Sequence, residues 1–241
     1  MSKDAIGDRM KSYYEDRTRY LLPRRTFTVV RVDGKAFHTF TRHMERPFDV
    51  RLSTAMDRTA EALCRGIQGA KLGFVQSDEI SVVLTDFDDI KTDAWFDGNV
   101  QKIVSVAASM ATCAFNLEAA PEWGWAMFDA RVFTIPSAVE VENYLIWRQQ
   151  DATRNSIQMV AQAHYSQKEM HGLNCDLLQE KLFSEKGINW NDTPVGFKRG
   201  RCFRRLTDWV REEPPIFTQD RGYMSTAIMP FAESASATPT E

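Results

Sequence analysis

Two aspartates stand where strand-forming segments end, and this placement points to metal chemistry. Asp33 follows the β-branched run 29–32, and Asp78 lies between the apolar runs 72–76 and 79–84. Such runs predict strands, and carboxylates at strand ends are a common way to hold divalent cations. Because Mg²⁺ takes few protein carboxylates and keeps several waters, one aspartate from each segment suffices for a pair of ions. The competing interpretation is that both acids belong to ordinary turns, a strand end and a hairpin tip.

The residues after the first aspartate supply groups suited to a nucleotide. Gly34 lets the backbone turn tightly or approach a ligand closely. Lys35, Phe37 and His38 add a cation, a stacking surface and a hydrogen-bonding ring. The alternative for Phe37 is the hydrophobic core. Lys102, near the start of a predicted helix, is either a residue that reaches phosphate or an ordinary surface lysine.

A basic cluster with interleaved aromatic residues occupies residues 197–205. Lys198, Arg199 and Arg201 are its candidate RNA-binding residues, because a strand that contacts nucleic acid combines cations with stacking rings. A solvated strand edge is the alternative, since basic residues also protect exposed edges. The pattern alone leaves both interpretations open.

Composition limits the class of protein. The chain has 241 residues, of which 43% are hydrophobic and 26% charged, as in ordinary soluble globular proteins. The net charge of −3 argues against a generally basic nucleic-acid coat but not against a local basic patch. The four cysteines form no CxxC pair, so neither a zinc knuckle nor a disulfide framework is indicated. The charged N-terminus is no secretory signal and no apolar run approaches membrane-spanning length, so we expect a cytoplasmic protein without membrane contact.

Hydrophobic periodicity predicts the elements that position these residues. Predicted helices cover residues 4–22, 52–63, 94–120, 137–170 and 175–183, and predicted strands cover residues 26–32, 72–76, 79–84, 126–135 and 197–205. The segment 94–120 is so rich in Ala, Val, Ile and Met that we expect burial on most of its sides. The fold class is therefore α+β, with a polymerase-palm or ferredoxin-like antiparallel sheet backed by helices and a helical C-terminal elaboration.

The chain divides into three predicted regions. Residues 1–136 form a palm-like catalytic domain, and residues 137–211 form a helical elaboration whose basic strand packs on the palm. Residues 212–241 form a C-terminal extension that we expect to be partly disordered, because residues 233–241 consist mainly of Ala, Ser, Thr, Pro and Glu.

Four short segments occur in an order that is typical of one enzyme family. They are RVDGKAFHTF at 31–40, QSDEIS at 76–81, FDAR at 128–131 and WRQQD at 147–151. Together they resemble the tRNA-histidine guanylyltransferase family of 3′-to-5′ nucleotide-adding polymerases, and the likeness runs from about residue 20 to residue 205. Each segment alone is a weak signal, whereas the ordered set is specific.

The resemblance implies a two-metal catalytic set. Asp33, the carbonyl of Gly34 and Asp78 correspond to the ligands of two Mg²⁺ ions, and Glu79 lies beside them as an acidic supporting position. A third ligand at Asp129 is the less favoured alternative.

The resemblance also implies which residues contact nucleotide and RNA. His38, Ser77 and Lys102 fall where the family contacts the activating nucleotide, ATP or GTP, and Lys35 and Phe37 join them as nucleotide-binding candidates. Arg46 stands where the family usually has the lysine of a Lys-Pro motif, so it keeps the charge but changes the donor geometry. Lys198, Arg199 and Arg201 fall in the basic late segment that we expect to contact RNA. The family further implies a homotetramer.

One segment departs from the family pattern and bears on the substrate. The eukaryotic histidine-tRNA enzymes carry His-Ile-Asn-Asn-Leu-Tyr-Asn after the Trp-Arg-Gln motif, whereas residues 152–158 here read ATRNSIQ. The chain is therefore more similar to the guanylyltransferase-like branch, which implies template-dependent repair of tRNA 5′ ends with ATP activation of the 5′-monophosphate. Addition of G−1 to histidine tRNA, a cyclase-like palm that acts on free nucleotides, and a non-enzymatic RNA-binding module are the alternatives.

Overall fold

The structure is a computed structural model that describes residues 4–229. Its strands are β1 Phe27–Gly34, β2 Ala70–Gln76, β3 Glu79–Leu84, β4 Phe128–Ile135, β5 Arg201–Arg205 and β6 Trp209–Glu212. They form one antiparallel sheet with the order β4-β1-β3-β2-β5-β6.

Helices cover both faces of this sheet. The α-helices of the described residues are α1 Ala5–Met10, α2 Phe37–Phe40, α3 Val50–Gly66, α4 Val100–Glu118, α5 Ala138–His164, α6 Gln167–Met170, α7 Cys175–Lys186, α8 Val195–Arg199 and α9 Arg221–Ile228. The long helices α3, α4 and α5 carry most of the packing against the sheet.

The first four strands form a ferredoxin-like unit. The long helices and strands alternate as β1-α3-β2-β3-α4-β4, and the strands lie in the order β4-β1-β3-β2. Val30 and Val32 of β1 and Ile80 and Val82 of β3 are buried in one cluster with residues of α3 and α4. Because side chains alternate along a strand, the residues between them point to the other face. The predicted α+β fold with a palm-like antiparallel sheet is confirmed.

The other face of the sheet packs against α5 and α9. Val29 and Val83, which are paired across β1 and β3, lie in a second buried cluster with Leu145 of α5 and with Met224 and Ile228 of α9. All five of these side chains have no exposed surface. The sheet is therefore sandwiched between helices, and residues at the ends of β1 and β3 are reached from both faces.

The segment after β6 belongs to this second core. Gln149 donates a hydrogen bond from its side-chain amide to the carbonyl of Pro215 at 2.8 Å and accepts one from the N–H of Phe217 at 2.8 Å. Phe217 is completely buried. The first part of the predicted C-terminal extension, as far as Met229, thus packs on the core, and the tail 233–241 that we expected to be disordered lies outside the described residues.

The basic stretch of the sequence forms two elements rather than one strand. Residues 195–199 are helical and β5 starts at Arg201, with Gly200 between them at a φ of 83°. A Cβ on Gly200 would lie 2.6 Å from the carbonyl oxygen of Val75, so only glycine fits this turn. Because β5 pairs with β2, the two predicted regions 1–136 and 137–211 share one sheet.

Helix α4 is more exposed than its composition predicted. Its buried residues, Ile103, Ala107, Ala111 and Phe115, follow a single face. By length and composition α4 is also the one helix in the described part of the chain that is apolar enough to cross a membrane, which corrects the expectation that no run approaches that length. A helix that packs one face on a globular core can have the same length and composition. These two properties alone therefore do not assign α4 to a membrane.

The N-terminal segment buries none of its residues between Ala5 and Thr18. It consists of α1 followed by a π-helical turn at Lys11–Glu15 and a 3₁₀ turn at Asp16–Thr18, instead of one continuous helix. Ile6 is 70% exposed and Tyr14 is 66% exposed. The apolar face predicted for this segment is therefore open to solvent in the single chain.

Candidate active site

The sheet brings Asp33 and Asp78 together at one end. Asp33, the penultimate residue of β1, is paired with Glu79, the first residue of β3, and Asp78 lies in the turn just before it. The N–H of Gly34 donates a hydrogen bond to the backbone carbonyl of Asp78 at 3.1 Å. The strand end that carries Asp33 and the hairpin tip that carries Asp78 are thus joined by a hydrogen bond, and the two acids share one site.

Asp78 has an environment that disfavours its negative charge. Burial, together with the charges of Asp33 and Glu79, raises the pKa of Asp78 to about 6. The neighbouring Ser77 adopts a left-handed φ of 46° in the same turn. Two carboxylates that repel each other in a partly buried turn would gain most from a shared cation.

The donor set fits a hard cation that keeps much of its water. Among residues 4–229 no three His, Cys, Asp or Glu side chains cluster so as to hold a metal ion, which leaves two carboxylates and a carbonyl. Mg²⁺ is commonly held by one or two carboxylates plus substrate phosphates. Gly34 sits tightly in this arrangement, since an added Cβ would lie 2.2 Å from the Phe37 ring. The residues Asp33, Gly34 and Asp78 are thus compatible with the predicted metal site.

Glu79 is engaged by arginines behind the aspartates. Both of its oxygens accept hydrogen bonds from Arg148 of α5, at 2.8 Å each, and Arg31 lies at 3.8 Å. The side chains of Glu79 and Arg148 are 11% and 7% exposed. This bidentate pair leaves the Glu79 carboxylate little freedom to act on a ligand. The structure therefore favours a positioning role for Glu79 over a catalytic one.

Asp129 faces Asp33 across the β1–β4 pair but has a partner of its own. Arg131 approaches the Asp129 carboxylate at 3.2 Å and the Asp33 carboxylate at 3.9 Å. The Asp129 side chain is 58% exposed. Arg131 already balances the charge of Asp129, which supports a metal site formed without Asp129.

A cleft of about 680 Å³ opens beside the two aspartates. Five of the predicted site residues line it: Phe37, His38, Arg46, Ser77 and Asp78. A cleft of this size is in the usual range for small-molecule sites. Phe37 also contributes to the wall, but its side chain is 3% exposed and contacts Phe115 and Phe128 at centroid distances of 5.5 and 5.1 Å. Phe37 is thus primarily a core residue.

The predicted nucleotide contact of Lys102 is not brought to this cleft. Lys102 precedes Ile103, which lines a small pocket with Thr28 at the opposite end of β1. Phe115, farther along α4, reaches Phe37. Because a helix rises 1.5 Å per residue, the 12 residues between these contacts span about 18 Å. Within one chain Lys102 is therefore too distant, and its assignment is corrected.

Lys35 is close to the aspartates but does not line the cleft. Its N–H donates a hydrogen bond to the carbonyl of Met127 at 2.8 Å, which connects the end of β1 to the start of β4. Its side chain is exposed. The structure thus leaves a nucleotide contact of Lys35 as a prediction.

Two of the three predicted RNA-binding cations are used inside the fold. Lys198 is 9% exposed and donates a hydrogen bond to the carbonyl of Asn191 at 2.5 Å. Arg201 is 3% exposed and pairs with Asp57 of α3. Both side chains therefore stabilise the packing of α8 and β5, which corrects their assignment to RNA. Arg199 is half-buried and stays a candidate.

The sequence interpretation missed the wall that α5 contributes. Met159 and Gln162 of α5 and the adjoining Tyr165 line the cleft together with His38 and Arg46. Periodicity assigned these residues to a helix but gave no signal for the face that meets the cleft. Arg148 was also missed as a partner of Glu79, because the two residues lie 69 positions apart.

Comparisons with known proteins agree with this geometry. Residues 7–136, more than half of the chain, match the family described as Thg1, tRNAHis guanylyltransferase. The tRNA(His) guanylyltransferase of Debaryomyces hansenii is 29% identical over 218 residues, which cover 82% of this chain and 80% of that protein.

Two solved structures of similar proteins extend the comparison over nearly the whole chain. A bacterial tRNA(His) guanylyltransferase-like protein in complex with ATP is 46% identical with a TM-score of 0.89, and it covers 93% of this chain and 99% of its own. A structure described in the same words, in complex with GTP, is 42% identical with a TM-score of 0.79 and the same coverage. By its sequence, its fold and its paired aspartates, the chain belongs to the tRNA(His) guanylyltransferase family of nucleotidyltransferases.

Proposed function

We propose that this protein adds nucleotides to the 5′ ends of tRNA in the 3′-to-5′ direction, guided by a template strand, as in the repair of truncated tRNA. The observation that carries the proposal is the meeting of Asp33, Gly34 and Asp78 beside a cleft of about 680 Å³ that cationic and hydroxyl side chains line. The similarity to a bacterial guanylyltransferase-like protein in complex with ATP supports the choice of substrate.

The proposed reaction has two steps. An oxygen of the RNA 5′-monophosphate attacks the α-phosphorus of ATP, which releases pyrophosphate and leaves an adenylylated end. The 3′-hydroxyl of the incoming nucleoside triphosphate then attacks the RNA 5′-phosphorus and displaces AMP. A 5′-triphosphate end bypasses the first step, because it already carries a leaving group.

Asp33, the Gly34 carbonyl and Asp78 would hold two Mg²⁺ ions, which lower the pKa of an attacking hydroxyl and neutralise leaving-group charge. Arg46 and His38, both exposed in the cleft, orient the triphosphate, and the Ser77 hydroxyl offers a further donor. No protein side chain needs to act as a nucleophile. The pair Glu79–Arg148 holds the hairpin that carries Asp78.

Base pairing supplies the choice of nucleotide, so the protein has to recognise RNA shape and backbone. Residues 152–158, ATRNSIQ, support repair over dedicated G−1 addition, because they replace the segment typical of the eukaryotic histidine-tRNA enzymes. We further propose a homotetramer, which the exposed apolar N-terminal segment favours. A cytoplasmic location stays a prediction.

G−1 addition to histidine tRNA is the second candidate. It is favoured by the description of the matching family and by the curated relative from Debaryomyces hansenii. The two reactions share the chemistry and differ in substrate.

The test is to incubate the purified protein with Mg²⁺, ATP and labelled nucleotides, using tRNAs that lack one to three 5′ nucleotides and histidine tRNA that lacks only G−1. Repair predicts labelling of truncated tRNAs that stops at the intact end and follows changes in the opposite strand. Labelling of histidine tRNA alone would favour G−1 addition. Products formed only from free nucleotides would indicate a cyclase-like enzyme and overturn the proposal.

A further inference from the structure

Trp147 of α5 presents a large aromatic surface to solvent. The residue is 49% exposed. The guanidinium of Arg148 lies over its ring at 4.3 Å from the centroid, and the ring of Tyr144 contacts it edge-on at a centroid distance of 5.9 Å. Arg148 is itself held in place by Glu79 and Asp151. Trp147 is thus backed by a fixed cation, and its exposed surface is free to stack on a planar group.

The α5 side of the sheet carries Asp33 and its cross-strand neighbours. Val29 of β1 is buried against α5 and α9, and because side chains alternate along a strand, Arg31 and Asp33 point to the same side. Cross-strand partners share a side, which adds Phe133 and Arg131 of β4. Arg131 reaches the Asp33 carboxylate at 3.9 Å. The pairing of β1 with β4 therefore fixes a cation beside this aspartate.

Helix α5 brings Trp147 to the same strand end. Tyr144 contacts the ring of Phe133 on β4 at a centroid distance of 5.5 Å. Trp147 lies about 4.5 Å farther along the helix. The next residue of α5 holds Glu79, which is the cross-strand partner of Asp33. The exposed indole therefore overhangs the part of the sheet that carries Asp33.

Arg131 has hydrogen-bond donors to spare. Both of its contacts, with Asp129 at 3.2 Å and with Asp33 at 3.9 Å, are made by Nη2. Its Nε and Nη1 reach no acceptor among the described residues, and the side chain is 49% exposed. Arg31 lies directly opposite on β1, and like charges in such a pair repel each other. A phosphate group bound here would relieve this repulsion and occupy the free donors.

The nucleotide cleft lies on another side of the two aspartates. Its wall includes Ser77 and Asp78, whereas Asp33, Arg131 and Trp147 do not line it. In an in-line transfer, the attacking and leaving oxygens lie on opposite sides of the phosphorus. With the triphosphate of the activating nucleotide in the cleft, the RNA 5′ end therefore approaches from the side of Asp33.

We propose that Trp147 and Arg131 bind the 5′-terminal nucleotide of the RNA substrate, with its base stacked on the exposed indole and its 5′-phosphate at the free donors of Arg131. An aromatic ring stacks on any base, which suits an enzyme that leaves the choice of nucleotide to base pairing. This inference rests on the proposed function for the identity of the ligand. It gives a role to Arg131 of the segment FDAR and to Trp147 of the segment WRQQD.

The test measures RNA affinity of the full chain by filter binding, with Mg²⁺ but without nucleoside triphosphates, so that no addition takes place. The probes are three forms of one truncated tRNA, which carry a 5′-monophosphate, a 5′-hydroxyl, or a 5′-monophosphate on an abasic terminal residue. The variants are Trp147→Ala, Trp147→Tyr and Arg131→Gln. The matched control is Phe183→Ala, which removes a 60% exposed aromatic side chain from α7. Thermal unfolding checks that each variant is folded.

We expect Trp147→Ala to weaken binding of the 5′-phosphorylated tRNA by about tenfold, as for one base stacked on an aromatic ring, and to leave binding of the abasic form unchanged. Trp147→Tyr keeps a ring and should retain most of the affinity. Arg131→Gln should weaken binding of the 5′-phosphorylated form by about tenfold and leave the 5′-hydroxyl form unchanged. Phe183→Ala should match the parent with all three probes.

Equal losses of Trp147→Ala for the intact and the abasic RNA would overturn the stacking assignment. A changed oligomeric state of that variant in sedimentation would also overturn it and would make Trp147 a contact between copies of the chain. A parent that labels truncated tRNA, with both variants binding RNA as the parent does, would remove this site and leave the proposed function intact. A parent that shows the end-dependent affinities but adds no nucleotide would support the site and refute the proposed function.

Discussion

Both oxygens of the Glu79 carboxylate accept hydrogen bonds from the guanidinium of Arg148, at 2.8 Å each. Glu79 immediately follows Asp78, so this ion pair ties the turn that carries Asp78 to the long helix α5. The pair is nearly inaccessible to solvent, with side-chain exposures of 11% and 7%. The position of Asp78 thus depends on a salt bridge that lies behind it, away from the cleft.

Removal of one partner should be far more harmful than removal of both. Arg148→Met removes both short hydrogen bonds to the buried Glu79 carboxylate and leaves it only the more distant Arg31, at 3.8 Å, so we expect a loss approaching about 3–5 kcal/mol in the free energy of unfolding. The double variant Glu79→Leu/Arg148→Met should recover part of that loss. Arg154→Met, which removes an exposed partner of Asp151, is the control and should cost about 0–1 kcal/mol. Urea unfolding measures all three, and equal losses for Arg148→Met and Arg154→Met would contradict a structural role.

Substitution of the two aspartates should abolish Mg²⁺-dependent nucleotide addition. We expect Asp33→Asn and Asp78→Asn to lower the rate on a truncated tRNA by at least about a thousandfold, because each loses a charged metal ligand. Asp129→Asn is the matched control, since Asp129 already pairs with Arg131, and it should retain most activity. Substantial activity of the folded Asp78→Asn protein would remove Asp78 from the metal site.

The same Asp78 substitution should stabilise the metal-free protein. The pKa of Asp78 rises from 3.8 to about 6 on folding, so the folded state binds its proton more tightly than the unfolded state does. Stability therefore falls as the pH rises between these two values, and the full penalty of roughly 2–3 kcal/mol persists above about pH 6. In EDTA, Asp78→Asn should unfold at higher urea concentration than the parent at pH 8 and at a similar concentration near pH 3.5. A parent that is equally stable to the variant at pH 8 would refute this environment for Asp78.

Gly34→Ala should damage both stability and activity through a steric clash. The new methyl group would lie 2.2 Å from Cδ2 of Phe37, which is packed against Phe115 and Phe128. Overpacking of this kind costs about 1–3 kcal/mol. The double variant Gly34→Ala/Phe37→Leu makes room for the methyl group and should recover part of the stability. Thermal unfolding and nucleotide addition are the measurements. If the double variant is no more stable than Gly34→Ala, the clash with Phe37 is not the cause of the loss.

The basic late segment should divide into structural and RNA-binding residues. Arg199→Ala should weaken RNA binding and reduce the slope of log affinity against log salt by about 1, with nucleotide binding unchanged. Lys198→Ala and Arg201→Ala should mainly lower the unfolding midpoint, because both side chains are buried. Filter binding at several salt concentrations separates these effects. Unchanged RNA affinity of Arg199→Ala would exclude the last of the three predicted RNA-binding residues.

The strands that carry the site could be predicted closely from the sequence. The β-branched runs gave β1, β2 and β3 to within two residues at each end, because alternating or continuous apolar residues report burial on a sheet directly. The meeting of Asp33 with Asp78 followed from the ordered motifs. Its geometry depends on the pairing of β1 with β3, which no local pattern encodes.

The errors concern contacts between residues that are distant in the sequence. Arg201 looked like a surface cation because its partner, Asp57, lies 144 positions away. Lys102 was placed in the cleft because a motif position says nothing about the direction in which α4 crosses the sheet. The strand predicted at 197–205 missed the helix–strand break at Gly200, whose left-handed backbone conformation leaves little trace in a basic stretch.

The position of β1 between β3 and β4 has a consequence for synthesis on the ribosome. Asp33 emerges early, yet its neighbouring strands end only at Leu84 and Ile135. A nascent chain therefore carries Asp33 before the turn with Asp78 has been made, and β1 gains its second neighbouring strand only after residue 135 has emerged. Both sides of β1 are thus paired only after more than half of the chain has been synthesised, and a chain that stops before β4 leaves one edge of β1 unpaired.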